Sequence, residues 1–440
     1  MSMALANEQS EDFFLNASIV EITDESACDP LSWFQSSQAS GSRWFWENPN
    51  EGLSWVGIGS AYTHSFHGPN RFADAADFTK KLFTDLSVDG PIEAPLPRVA
   101  AGFSFENEDP KGDWGSLGAG QVILPAIQVV RKDGKSWLTV INDFPTVFPE
   151  SKPPFPLVPA EVDPSLWSSK PERDHYRRLV KKALDNIHAG KITKAVPCRS
   201  ITTPLNPDLP ALLSTLRNLY PACVTFGVTT ESIAFVGATP ERLVAIDEGN
   251  LSTAALAGSA PRHIEPATDA VLGQGLMTSP KERSEHDVVV EAIDAALNTL
   301  GIDTKHPASP ELLRLHGIQH LFTPISAKMV DNVHLLEVID ALHPTPAVSG
   351  HPSNPSSVLR SKYEELDRGW FASPIGWFDS NGNGEFRVAL RSALVTNEGT
   401  TFYAGAGVVE GSDPDRELLE TDVKLRALLG PVVASTEEGS

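Results

Sequence analysis

Only three cysteines, Cys28, Cys198 and Cys223, occur in 440 residues. So few, so widely spread, indicate neither a disulfide scaffold nor a cysteine zinc site, both of which need clustered pairs. Positive charge is scarce too: 35 Lys and Arg stand against 57 Asp and Glu, a formal charge of -22. This argues against general affinity for nucleic acid or an anionic membrane, because both require a basic face. No uncharged apolar run reaches the roughly 18 residues of a membrane helix, and the first residues lack the basic start and apolar core of a secretion signal. The expected compartment is the cytoplasm. A negatively charged small molecule would need a locally cationic or metal-bearing pocket.

What is present is a chain that changes character along its length. Short β-like runs such as "SWVGIGSAYTHSF" and "GQVILPAIQVV" follow one another from about Ser42 to Asp143, separated by Gly, Pro and Asp turns. Seven prolines between Pro145 and Pro164 predict an extended connector. Helical spacing resumes in "ERDHYRRLVKKALDNIHAG", and a second helix is expected to start at Ser279 as N-cap with Pro280 in its first turn. "WFASPIGWFDSNGNGEFRVALRSALV" predicts two strands around an Asn-Gly turn, with "TTFYAGAGVVE" as a third. The last helix, "SDPDRELLETDVKLRALLG", is expected to begin at Ser412 or Asp413 and to stop at Gly430. These readings divide the chain into a mostly β part (1–150), a proline-rich connector (151–170), a catalytic part (171–432) and an acidic tail (433–440).

Chemistry shows where polar residues interrupt β-like or small-residue runs. Lys194 stands inside "KITKAVPCRS", and Glu241 follows an apolar strand and a turn in "AFVGATPERLV". "TAALAGSAPR" offers small residues, among them Gly258 and Ser259, past which a ligand can approach backbone. In the last helix Glu417, Glu420 and Lys424 fall within roughly 60° of one another, because positions i, i+3 and i+7 share a face. Asp422 points elsewhere. Such a stripe is either a solvated face or a divalent-cation site beside a cationic hook. In "EFRVALRSA", Arg391 shares strand parity with Arg387 and Ala389, which would project it from a sheet into a cleft.

Taken in order, these segments with "KERSEHDVVV", "QHLFTP" and "LHPTPAVSGHP" resemble the chorismate-utilising enzymes, and among them those that form isochorismate; the resemblance runs from about Pro171 to Leu429. It implies an α/β fold of the α+β type, one large chorismate-binding domain with two antiparallel sheets packed between helices. The proline connector then becomes a crossing within one domain. The resemblance further implies Mg²⁺ as cofactor, with Glu285 and Glu420 as ligands and Glu417 close by. Magnesium takes one or two carboxylates plus waters and substrate oxygens, so a bound cation would relieve the glutamate stripe. Arg391 and Lys424 are left for the second substrate carboxylate. His320, Gly258, Ser259, Ala347, Val348, Tyr403 and Gly405 are the remaining substrate-lining positions it implies.

The implied reaction adds water at C2 of chorismate while the C4 hydroxyl departs, with Lys194 as base and Glu241 as acid. Both jobs need proton states opposite to those of free side chains at neutral pH, and burial favours the neutral amine and the neutral acid. The two groups are therefore expected on opposite walls of a buried cleft. Three rivals share the scaffold. Salicylate synthases carry isochorismate on to pyruvate elimination, anthranilate and aminodeoxychorismate synthases deliver ammonia and have glutamine where Lys194 stands, and a non-catalytic paralogue would have lost an ionisable group. Lys194 and the Ala347-Val348 pair favour isochorismate as the end product. No glutaminase subunit is expected, the assembly is a monomer or weak homodimer, and menaquinone, siderophore or salicylate biosynthesis would consume the product.

Overall fold

The structure is a computed structural model that describes residues 15–36, 41–315 and 317–437. Among them, two large sheets face each other. One has 12 strands and draws on both halves of the chain, running from Ser169–Lys170 and Cys198–Thr203 through Gly399–Gly405, Ile233–Thr239 and Arg43–Asn48 to Leu15–Ile22 and Leu86–Asp89. The second has 10 strands and likewise mixes Arg98–Phe103 and Gly120–Leu124 with Arg242–Asp247, Asn250–Pro261 and Gly384–Val388. Pairing is antiparallel except between Leu15–Ile22 and Leu86–Asp89. The division at the connector is therefore no boundary of the fold.

Strand alternation sets the layers. Successive side chains point to opposite faces, so Trp44 and Trp46 enter the core between the sheets while Phe45 enters the core under the outer helices. Tyr403 faces inward in the same way, between Phe402 and Ala404 facing outward. The outer core is closed by Leu212, Leu213 and Leu216 of the helix Leu209–Leu219 and by Leu425, Leu428 and Leu429 of the last helix. Among the described residues no helix is long and apolar enough to cross a membrane.

Three expectations need correction. The last helix runs Pro414–Glu437, through Gly430 and Pro431, so residues 433–437 are helical and not a tail; 438–440 lie outside the described residues. Gly430 is required for close approach, since a Cβ there would stand 2.7 Å from Ala160 O, where the connector crosses the helix. The segment read as two strands holds three: Pro374–Asp379 and Gly384–Val388 pair in the 10-stranded sheet, and Ser392–Thr396 belongs to the 12-stranded one. Arg391 falls between the last two, with φ +46°, so it leaves the sheet through a left-handed turn and not by strand parity. The helices Arg173–His188 and Pro280–Thr299 form as read, the latter with Ser279 Oγ accepting from Glu282 N. Asp413 Oδ1 caps the last helix by accepting from the amides of Asp415 and Arg416.

Asp422 does point away from the stripe. It accepts from Arg199 and, through both oxygens at 2.8 Å, from Arg173, while Thr421 Oγ1 accepts from Arg199 Nε at 2.7 Å. Arg199 is fully buried, so these bonds fix the angle at which the last helix lies on the sheet. Breaking a buried ion pair strands its partner, at about 3–5 kcal/mol. Asp422→Ala should lower the urea-derived unfolding free energy by that order; a loss under about 1 kcal/mol would show that Arg199 does not depend on it.

Candidate active site

Between the two sheets, where the last helix and Pro280–Thr299 close one end, lies a cavity that is partly open to solvent. Its wall brings together Glu241, Ser259, Glu285, His320, Arg391 and Lys424, residues spread over 184 positions of sequence. Gly258, Ala347, Val348, Tyr403, Gly405 and Glu420 line it too.

Glu241 follows the strand Ile233–Thr239 and is held by its backbone: its amide donates to Thr239 Oγ1, and its carbonyl accepts from Val388 N at 3.0 Å. The side chain is buried, which pushes the carboxyl up to about 7 against the opposing pull of Lys194, Lys424 and Arg391. A carboxyl poised there exists in both states near neutrality, the condition for a proton donor. Lys194 opens the two-residue strand that pairs with Gly350–His351 and is 0% exposed. It does not itself line the cavity. Its Nζ lies 3.0 Å from Oε1 of Glu285, which does, yet the amine makes no well-aligned hydrogen bond. The two groups are close, and the angle leaves the nitrogen without a hydrogen-bond partner. A buried amine in that condition suits a small polar partner such as water.

Opposite in charge is a cationic corner. Arg391 Nη2 donates to His320 Nε2 at 3.1 Å, since a guanidinium has only donors. His320 Nε2 is thus an acceptor, and Nδ1 carries the proton toward Ser259 Oγ, 2.9 Å away. Burial and the charges of Arg391 and Lys424 press the ring's affinity for a second proton well below the ordinary value. Gly258 makes this contact possible: with φ +78° it sits at a bulge between Ala257 and Ser259 and re-aims Ser259 into the cavity. Arg391 Nη1 is buried without a hydrogen-bond partner among the described residues. Lys424 Nζ binds Gly405 O at 2.9 Å and Glu420 Oε1 at 2.8 Å. An arginine with a spare buried donor beside a lysine is a seat for a carboxylate.

The third group is acidic. Glu285 and Glu420 line the cavity from two helices, with Glu282 and Glu417 next to them. Burial, then the neighbouring carboxylate charge of Glu420, raises the Glu417 carboxyl; burial, with Glu285 and Glu420, raises Glu282. Glu417 is not on the cavity wall but is bound at 2.9 Å by Lys281 Nζ. Among the described residues no three His, Cys, Asp or Glu side chains are arranged to hold a metal ion unaided. The donor chemistry nevertheless fits a hard cation that uses two carboxylates and takes its other ligands from water and substrate.

The sequence reading missed Glu282, whose Oε2 accepts from Ser259 N at 3.2 Å. Its place one turn before Glu285 in "KERSEHD" is the signal that could have found it. It also missed Gly407, where a Cβ would stand 2.0 Å from Glu285 Oε1; the Gly-Ala-Gly spacing of "YAGAG" is the trace of that demand.

Comparison with known proteins now adds to the geometry. A family model described as chorismate binding enzyme matches residues 5–146 and 150–433. The salicylate biosynthesis isochorismate synthase of Pseudomonas aeruginosa is 35% identical over 405 residues, covering 87% of this chain and 83% of that protein. The isochorismate synthase MenF of Bacillus subtilis is 30% identical over 426 residues, covering 91% and 90%. The solved structure of MenF, the menaquinone-specific isochorismate synthase from Escherichia coli, matches with a TM-score of 0.77 at 25% identity over 94% of each chain. An anthranilate synthase component I from Streptococcus pneumoniae, at 17% identity and a TM-score of 0.70, shares the fold alone. With its two sheets, its cavity and nearly its whole length accounted for, the chain belongs to the chorismate binding enzyme family.

Proposed function

We propose that the protein is an isochorismate synthase, an isomerase that converts chorismate to isochorismate with Mg²⁺ as cofactor. The observation that carries this reading is a buried carboxyl held near neutrality on the cavity wall, beside an arginine with a free buried donor, with a fully buried, under-bonded lysine against Glu285 of that wall. Relatives named for isochorismate synthesis support it at 30% and 35% identity.

The steps follow from those residues. Arg391 and Lys424 seat one substrate carboxylate, and His320, fixed as a neutral tautomer between Ser259 and Arg391, keeps the guanidinium from turning away. Lys194 removes a proton from water as its oxygen bonds to C2; the two ring double bonds shift, and the C4–O bond breaks. Glu241 gives its proton to the departing hydroxide, which leaves as water, so atoms and charge balance. Held by Glu285 and Glu420, Mg²⁺ would supply positive charge for the ring carboxylate and for the electron density that moves toward it. Pyruvate elimination, the step that would make the protein a salicylate synthase, is not favoured by these relatives. Delivery of ammonia would need an ammonia-directing group where Lys194 stands.

The test is incubation of purified protein with chorismate, with and without Mg²⁺, and chromatography of the product. Isochorismate alone, dependent on Mg²⁺, is expected. Salicylate with pyruvate, or anthranilate when ammonium is added, would contradict the reading.

A further inference from the structure

Two segments form the wall around Lys194: residues 194–198, which carry the lysine, and 347–351, which pair with it through Gly350 and His351. That ladder spans only two residue pairs, too little to fix a side chain to the tolerance that chemistry needs. Behind the wall, away from the cavity, lie Glu364 and Arg368, each with a side chain 2% exposed. The guanidinium grips the carboxylate through Nε to Oε1 at 2.6 Å and Nη2 to Oε2 at 2.7 Å. Its remaining donors go to the two wall segments: Nη1 to Val348 O and Nη2 to Val196 O, each at 2.8 Å. Glu364 Oε2 in turn accepts from Cys198 N at 3.0 Å. Arg368 also stacks over Phe105, 4.4 Å from the ring centre.

Val196, Cys198 and Val348 all line the cavity, whereas Glu364 and Arg368 do not. A fully desolvated ion pair is a poor way to gain stability, since two charges must be taken from water. It is a good way to hold three backbone groups at fixed separation, because the planar fork and the carboxylate leave little rotational freedom. We infer that Glu364 and Arg368 are positioning residues: they lock the strand bearing Lys194 to the Val348 loop and so set where the base stands relative to the substrate. The inference rests on Lys194 being the base of the proposed reaction.

Arg368→Lys keeps the charge but cannot reach both carbonyls and both carboxylate oxygens. Glu364→Gln keeps the shape and weakens the grip, and it serves as the test if the first variant does not fold. In either, kcat should fall by about tenfold or more, with KM within about threefold, since misplacement by about 1 Å suffices for such a loss. The wall has its own reporter: Cys198 should be alkylated faster in the variants while Cys223, buried in the other core, keeps its wild-type rate. Unchanged kcat would overturn the inference, as would a parallel rise at Cys198 and Cys223, which signals general loosening. Labelling is read without substrate, so a wild-type protein that failed to make isochorismate would sink the functional reading while the labelling ratio still judged the lock.

Discussion

Glu241→Gln should abolish most of the turnover and make the protein more stable above neutral pH. The activity loss follows from the acid role proposed for Glu241: glutamine fills the same space but has no acidic proton for the departing hydroxyl. Removal of a general acid costs about a hundredfold to ten-thousandfold, and kcat of the variant should lie in that range below wild type. In the wild type only the protonated carboxyl acts, so kcat should fall as pH rises through about 7, where burial places it. A kcat flat from pH 6 to 9 would remove Glu241 from the reaction.

The stability gain has a definite sign. The carboxyl is raised in the fold from 4.5 to about 7, so the folded state holds the proton more tightly than the unfolded chain. Its contribution is fully present below pH 4.5 and is lost as pH rises through about 7. A shift of that size corresponds to about 3 kcal/mol. Glutamine cannot ionise, so the variant escapes the loss. Denaturant curves should agree near pH 4.5 and separate toward pH 8, the variant being the more stable. Equal stability at both pH values would mean that the carboxyl is hydrated.

How much of this was legible before the structure depends on the range of the interaction involved. Ser279, Pro280 and the 3.6-residue spacing are local, and the helix Pro280–Thr299 follows from them. The β-like runs from about Ser42 to Asp143 are local as well, yet with Trp44, Phe45 and Trp46 all buried, alternation does not tell which face meets the other sheet. Gly430 misled because its reason is a contact with Ala160, 270 residues away, that no local rule contains. Arg391 reaches the cavity for a cause the parity argument did not supply: its positive φ, with its carbonyl accepting from Ala238 N at 3.1 Å. At the site, ordered short motifs drew attention to Lys194, Glu241 and Glu285; the structure places the two glutamates on the cavity wall and Lys194 just behind it, 3.0 Å from Glu285. The Lys281 partner of Glu417 stayed invisible, since it depends on a chain crossing; Glu364 and Arg368 pair at local i,i+4 spacing, but their bonds to Val196, Cys198 and Val348 cross the chain and were invisible too.

The central claim is that a water deprotonated by Lys194 attacks the ring. Lys194→Ala leaves Arg391 and Lys424 to bind substrate, so the affinity for chorismate, read by calorimetry, should stay within about threefold. Isochorismate formation should fall by about a thousandfold or more. The activity of this one variant at saturating chorismate and Mg²⁺ is the most direct measurement. Near-complete loss of turnover with binding intact is the result expected, and isochorismate produced within about tenfold of the wild-type rate would contradict the account.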